Sequence, residues 1–292
     1  PAGRDTVRAR AAPAHTFLTP PQAADELGRF ADYRVLRPLG AGGMGLVYAA
    51  EEVALRRPVA LKVLKPELAA DPESRERFLR EARAAAEITS DYVCTVLRVG
   101  EHGGLPFLVM PLLVGETLQA RIERPGDPLD LRTALVIARD TAAGLAAAHA
   151  KGLIVLVTPD RQAKLLDFGL ARKPLQETSL TSTGFIVGTP NYMSPEQAGG
   201  HEVDARADLF ALGCVLYVML TGELPFQGAS AMAVMMALAN KDPAPVGAKN
   251  PAVPPAVSDL VAGLLAKRPA DRVPTAAAAV CALEAAIADL SG

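Results

Sequence analysis

Apolar residues in the first third of the chain fall in short runs rich in β-branched side chains, which is the pattern of β-strands. Strands are predicted at residues 33–39, 46–50, 58–64, 93–99 and 105–110, and together they would form a five-stranded antiparallel sheet. One helix is predicted at 71–88, because Asp71 is a good N-cap and Pro72 suits the first helical position.

From residue 130 onward, apolar positions recur at the three-to-four-residue spacing of helices. Helices are predicted at 130–150, 208–221, 229–239, 257–267 and 274–290, and short strands at 153–157 and 163–166. The expected fold class is therefore α+β, a small sheet followed by a mainly helical part. Residues 1–32 mix Pro, Ala and Arg without a period, so we expect a flexible leader there, with a short helix at 22–30.

The composition argues against several functional classes. Half of the 292 residues are apolar, and 30 basic side chains balance 32 acidic ones, so no nucleic-acid partner is expected. Cys94, Cys214 and Cys281 are far apart and lack metal-ligand spacing, as expected of reduced thiols in the cytoplasm. The longest apolar run, 209–220, is too short to span a bilayer. Because the chain begins at Pro1, we expect a fragment, and a membrane anchor could lie outside it.

The turn between the first two predicted strands holds Gly40, Gly42, Gly43 and Gly45. Glycines let the backbone approach a ligand that side chains would block, which is how a loop holds phosphate. A dinucleotide-binding loop leads directly into a helix, whereas a strand follows here. Lys62, on the third strand, would bring an ammonium to the same ligand. The alternative is an ordinary glycine-rich hairpin beside a surface lysine.

The helix predicted at 71–88 places a carboxylate on its apolar face. Phe78, Glu81, Ala85 and Ile88 share that face by helical spacing. We expect Glu81 to pair with Lys62, or alternatively with Arg77 one turn earlier as a surface pair.

Residues 108–115 are predicted to connect the sheet to the helical part. Pro111 has no N–H, but its carbonyl can accept from an adenine amino group, and Leu113 keeps both a donor and an acceptor. Met110 would lie at the back of such a pocket. The alternative is that this apolar run is simply core.

Four further motifs complete a family pattern. They are D-F-G at 167–169, G-T-P-N-Y-M-S-P-E at 188–196, D-L-F-A-L-G from Asp208 and R-P-A-D-R ending at Arg272. Together with the glycine turn and V-A-L-K at 59–62, these motifs resemble the eukaryotic-like Ser/Thr protein kinase domain of bacteria over 33–290. The resemblance implies a two-lobed protein-kinase fold over 33–292, with the N-lobe at 33–110, a hinge at 111–115 and a larger, mainly helical C-lobe at 116–292.

The resemblance also implies ligands and roles. ATP, Mg²⁺ and protein substrates or regulatory partners are expected, and a Lys–Glu pair would position the α- and β-phosphates. The implied ATP-binding residues are Gly40, Gly42, Gly45, Val47, Ala60, Lys62, Glu81, Pro111, Leu113 and Leu156. Asp167 is the implied metal ligand, Glu196 would form an ion pair with Arg272, and Thr181 and Thr183 match activation-segment phosphosites, unless that segment is only a polar loop.

One family motif is absent from the sequence. A catalytic loop of the form H-R-D-x-K-x-x-N is expected between Ile154 and Val155, where G-L-I runs directly into V-L-V. The loop's aspartate accepts the proton of the substrate hydroxyl, and its lysine and asparagine serve the γ-phosphate and a second Mg²⁺. A natural loss, a deliberate deletion and a sequence error explain the gap equally well.

The gap leads to two functional hypotheses and one structural expectation. The chain is either an ATP-binding, pseudokinase-like module that regulates or scaffolds, or an active Ser/Thr kinase. The family partner of Asp208 is the backbone of the missing loop. Because a buried carboxylate without a partner costs about 1–3 kcal/mol or more, we expect the helical part to rearrange or admit water there. His149 is expected to be a satisfied core histidine, and Met232, Met235 and Met236 to pack in the core rather than form a docking surface.

Overall fold

The computed structural model describes residues 15–124, 129–151 and 190–290. Two compact units are present, Pro1–Leu79 with Val96–Leu113 and Arg80–Thr95 with Val114–Gly292. The junction between Ile154 and Val155, the two strands predicted beside it, Leu156, Asp167, Thr181 and Thr183 all lie outside the described residues.

The first unit is built on an antiparallel sheet of six described strands in the order β1-β2-β3-β4-β6-β5. The strands are β1 (Gly28–Phe30), β2 (Tyr33–Ala41), β3 (Gly45–Glu52), β4 (Arg57–Leu64), β5 (Arg98–His102) and β6 (Leu105–Pro111). The sixth strand is β1, which pairs with β2 through Gly28–Val35 and Phe30–Tyr33. The short helix expected at 22–30 is therefore wrong, since residues 28–30 form β1, and the segment expected to be a flexible leader packs on the sheet through Phe17 and Leu18.

Alternation along the strands divides the sheet into two faces. One face carries a buried cluster that includes Tyr33, Tyr48, Leu61 and Phe107. Phe17 and Leu18, from the segment before β1, pack against this cluster. The opposite face carries the candidate functional residues Val47, Ala60 and Lys62, together with Met110 of β6.

Two helices follow β4, namely α1 (Pro66–Ala69) and α2 (Pro72–Ala86). Asp71 caps α2 as predicted, because its carboxylate accepts the backbone N–H of Ser74 at 2.9 Å. The strand predicted at 93–99 is displaced, since β5 starts only at Arg98.

The second unit is helical in its described part. Its helices are α3 (Leu118–Ile122), α4 (Leu131–His149), α5 (Pro195–Ala198), α6 (Arg206–Thr221), α7 (Ala231–Asn240), α8 (Val246–Lys249), α9 (Pro255–Leu264) and α10 (Ala276–Asp289). Residues 207–220 of α6 are all buried, and α4 and α9 pack against this helix. A Cβ at Gly213 would lie only 2.8 Å from Cβ of Leu264, so glycine is needed where α6 and α9 meet. Among the described residues, no helix is long and apolar enough to cross a membrane.

The methionines of α7 correct one prediction. Met232 and Met236 are 60% and 61% exposed, whereas Val234, Ala237 and Leu238 are the buried residues of this helix. Core packing is therefore wrong for Met232 and Met236. The helix has no charged residue that would mark its outer face, so its sequence did not indicate which side is buried.

Candidate functional site

The glycine turn joins β2 to β3 as a tight hairpin. Ala41 pairs with Leu46, and the N–H of Gly42 donates to the carbonyl of Gly45 at 2.9 Å. A Cβ at Gly45 would lie 2.9 Å from the carbonyl oxygen of Val63, so packing within the protein requires glycine there. At Gly40 and Gly43 a Cβ would meet no described atom within 4 Å. Their open sides leave room for a ligand beside the backbone.

Lys62 lies on the sheet face opposite the aromatic cluster. It lies on β4, where its cross-strand neighbours are Val47 on β3 and Leu108 on β6, so the three side chains share one face. Its aliphatic stem lies beside the hairpin, because a Cβ at Gly45 would be 3.3 Å from its Cγ and 3.4 Å from its Cε. The structure thus brings Gly45, Val47 and Lys62 together.

Ala60 extends this face toward the end of β6. Its cross-strand partner there is Met110, which is only 7% exposed. Pro111 is still part of β6, where it pairs with Val59, so the strand extends one residue beyond its predicted end. A small apolar residue and a buried methionine are therefore grouped at one end of the sheet, next to the point where β6 ends at Pro111.

Glu81 lies on the buried face of α2, as its spacing predicted. It is 8% exposed, and Phe78, Ala82 and Ala85 of the same helix are also buried. Lys62 belongs to the first compact unit and Glu81 to the second. Their pairing stays a prediction.

Glu196 and Arg272 form a buried, two-pronged ion pair. The two terminal nitrogens of Arg272 donate to the two carboxylate oxygens of Glu196, each at 2.7 Å. Burial works to raise the pKa of Glu196, but its bonds to Arg272 outweigh that effect and lower it. The structure thus brings together the two residues that the resemblance paired, 76 positions apart.

Arg272 also organises the backbone around it. It donates to the carbonyls of Ala266, Arg206 and Lys267 at 2.8–3.0 Å. Buried charges are tolerated when their hydrogen-bonding groups are satisfied in this way. The ion pair therefore joins α5, the start of α6 and the segment after α9.

A stacked aromatic pair lies between two cations beside this ion pair. The guanidinium of Arg272 is 4.9 Å from the ring centre of Phe210, which stacks on Phe226 at 5.8 Å with an angle of 9° between the rings. Nζ of Lys267 is 3.9 Å from the ring centre of Phe226 and donates to the carbonyl of Leu238 at 2.7 Å. Burial lowers the pKa of Lys267. Sequence reasoning missed Lys267, whose only signal was its place just before R-P-A-D-R.

Asp208, for which we expected a rearrangement or water in place of its family partner, is bonded to a side chain. Nε2 of His149 donates to its Oδ2 at 2.8 Å, and Asp208 is 2% exposed. The two residues lie at the end of α4 and in the first turn of α6. His149 is therefore hydrogen-bonded, as predicted, but its side chain is 14% exposed, so it lies at the edge of the core rather than inside it.

Comparisons with known proteins identify the family. A family model described as the protein kinase domain matches residues 33–282. The chain belongs to this family. It is 37% identical over 273 residues to the serine/threonine-protein kinase PknB of Mycobacterium leprae, and 38% identical over 267 residues to the serine/threonine-protein kinase PknL of Mycobacterium tuberculosis. Each match covers 89% of this chain, but only 43% of PknB and 66% of PknL.

A solved structure confirms the fold class. The chain resembles the kinase domain of Mycobacterium tuberculosis PknI, with a TM-score of 0.68 and 28% sequence identity. The match covers 90% of this chain and 99% of that one. The α+β kinase fold expected from the motifs is therefore correct, although its sheet gains β1.

Proposed function

We propose that this chain is the ATP-binding domain of a Ser/Thr protein kinase whose phosphoryl transfer is impaired in the sequence as written. The proposal rests on one combination of observations. The open glycine hairpin and Lys62 share one end of the sheet. The sequence G-L-I-V-L-V leaves no room for the catalytic loop.

The residues of the first unit fit a nucleotide. The hairpin's backbone N–H groups would hold phosphate oxygens beside Gly40 and Gly43, where no side chain intervenes. Val47 and Ala60 would contact the adenine, and the backbone at Pro111 and Leu113 would bond its edge. Lys62, paired with Glu81, would position the α- and β-phosphates. ATP supplies the transferable phosphoryl group.

Two further nucleotide-site roles are carried over by family resemblance alone. Leu156 would close the adenine site from below, and Asp167 would hold Mg²⁺. With the loop's asparagine absent from the sequence, Asp167 is the one metal ligand that the motifs identify. We therefore expect ATP binding to depend less on Mg²⁺ than it does in a complete kinase.

The proposed impairment follows from the chemistry of phosphoryl transfer. A positioned acid or base contributes about 10²–10⁴-fold to rate, and the loop would also supply a lysine and a metal ligand. Asp140 does not replace that base, because its Oδ1 accepts from Nε and Nη2 of its neighbour Arg139 at 2.9 and 2.5 Å. The expected turnover is close to the assay background.

The second candidate is an active kinase that transfers the γ-phosphate of ATP to Ser or Thr residues of proteins. It is favoured by the relatives, which are named serine/threonine-protein kinases. The Glu196–Arg272 pair and the buried α6 are also retained in the described part of the chain.

One pair of proteins separates the two candidates. We compare the unaltered chain with a version that has H-R-D-L-K-P-A-N inserted between Ile154 and Val155. Each protein is incubated with radiolabelled ATP and a generic protein substrate, and transfer of the label is measured. We expect labelling only by the repaired chain, with Asp167→Ala in that chain as the inactive control. Robust labelling by the unaltered chain would establish the second candidate, and a folded but inactive repaired chain would refute the explanation based on the loop.

A further inference from the structure

Residues 15–30, which we call the strap, form a closed loop against the sheet of the first unit. Thr19 and Arg29 exchange two backbone hydrogen bonds, of 2.9 and 3.0 Å, so the chain returns on itself between them. Gly28 permits this closure, because a Cβ there would lie 2.5 Å from the carbonyl oxygen of Thr19. Its φ of +156° also disfavours other residues.

A charged cluster fixes the strap to β2 and β3. Glu26, whose side chain is fully buried, accepts from Nε of Arg29 at 3.1 Å and from Nε of Arg34 at 2.9 Å. Arg34 also donates to Asp25 of the strap at 2.8 Å and to Glu51 of β3 at 3.0 Å. One guanidinium thus joins the strap to both strands of the glycine hairpin.

Aromatic contacts link the strap to the back of the strand that carries Val47. Nδ1 of His15 lies 2.8 Å from the hydroxyl of Tyr48, and the ring of Phe17 lies edge-on to the Tyr48 ring at 6.2 Å. Tyr48 is 1% exposed and pairs with Leu61. Its neighbours Val47 and Lys62 project from the other face, so the strap contacts the same strands from behind.

We propose that the strap is a positioning element for nucleotide binding, which holds the glycine hairpin in its binding conformation from the reverse face of the sheet. Side chains restrain the hairpin little, since residues 37–43 are exposed and a Cβ at Gly40 or Gly43 would meet no described atom within 4 Å. The strap supplies restraint at Arg34 and Tyr48, just behind the hairpin. The affinity consequence rests on the ATP binding proposed above, whereas the effect on the hairpin's mobility does not.

Gly28→Ala tests the strap without altering any residue of the hairpin. It should open the Thr19–Arg29 closure. Phe17→Ala should weaken the attachment of the strap in a second way, by removing the ring contact with Tyr48. Gly103→Ala is the matched control, because Gly103 has a φ of +57° but a Cβ there would meet nothing within 4 Å. Phe17→Leu is the conservative rescue.

Amide hydrogen exchange of residues 39–50 and the Kd for ATP are measured on the full chain. We expect faster exchange in both strap variants, and a Kd raised about threefold if the binding-competent fraction falls to about one third. The control and the Phe17→Leu variant should behave as the parent. Unchanged exchange at 39–50 in folded Gly28→Ala and Phe17→Ala proteins would overturn the positioning role. Faster exchange in the strap variants of a parent that binds no ATP would keep the strap's role and reject the nucleotide site.

Discussion

His149, the last residue of α4, shares a hydrogen bond of 2.8 Å with Asp208, in the first turn of α6. The carboxylate is buried away from water, so the imidazole supplies a hydrogen bond that water would otherwise make. The start of the buried helix is thereby held by the last residue of α4.

Replacing His149 tests how much this bond contributes. We expect His149→Ala to lower the free energy of unfolding by about 1–3 kcal/mol, because Asp208 stays buried after losing a donor. Chemical denaturation measures the change. His201→Ala, at an exposed histidine of the same unit, should fall within about 0.5 kcal/mol of the parent. If the two losses were equal, the bond would carry no special weight.

The Glu196–Arg272 pair should be the more sensitive site. Glu196→Gln leaves a buried guanidinium without its counter-charge, and such losses are about 3–5 kcal/mol. Thermal and urea unfolding give the value. The control is Asp271→Asn, which alters an exposed pair with Arg268 at 3.6 Å and should change stability by less than about 1 kcal/mol. A Glu196→Gln protein as stable as that control would contradict the prediction.

Glu26 predicts a specific dependence on acid. Its bonds from the Gln22 N–H, Arg34 and Arg29 lower its pKa from 4.5 to about 2. Because the folded protein holds the ionised form more strongly than the unfolded chain does, this stabilisation is complete above pH 4.5 and is lost as the pH falls toward 2.

Urea unfolding of the parent and Glu26→Gln at pH 7 and near pH 2 tests this sign. We expect the variant to be less stable than the parent at pH 7 and the difference to shrink in acid. A difference that stayed constant, or grew, would show that Glu26 acts through packing rather than through its charge.

Lys62 should be needed for nucleotide binding but not for folding. A ligand at a hundred times its Kd stabilises a protein by about 2.7 kcal/mol, and a tenfold loss of affinity removes about 1.4 kcal/mol of that. We expect Lys62→Ala to lose at least about half of the thermal shift produced by millimolar ATP, with Lys65→Ala as the matched control. Equal shifts in parent and Lys62→Ala would reject the role of this lysine.

The parts of the fold that sequence predicted are those governed by local rules. Asp71 was predicted as an N-cap, and it accepts the N–H of Ser74, three residues on, at 2.9 Å. The resemblance assigned Val47 and Lys62 to one ligand, and the strand register places both side chains on one face.

What sequence did not predict depends on contacts between distant residues. The strap has no period, because Phe17 and Phe30 are single anchors and Glu26 is fixed by arginines rather than by a helix or strand pattern. The His149–Asp208 bond spans 59 positions, and no local rule links its partners.

Three glycines of the hairpin, Gly40, Gly43 and Gly45, are required for different reasons. A side chain at Gly45 would collide with the carbonyl oxygen of Val63. The sheet itself therefore requires this glycine, whether or not a nucleotide binds. Gly40 and Gly43 meet no such neighbour, and only a ligand beside the backbone would penalise a side chain there. A library of variants selected for folding alone should therefore retain Gly45 and let Gly40 and Gly43 drift, whereas selection for binding should retain all three. Which side chains are tolerated at Gly40 and Gly43 therefore reports whether a ligand lies beside the hairpin backbone.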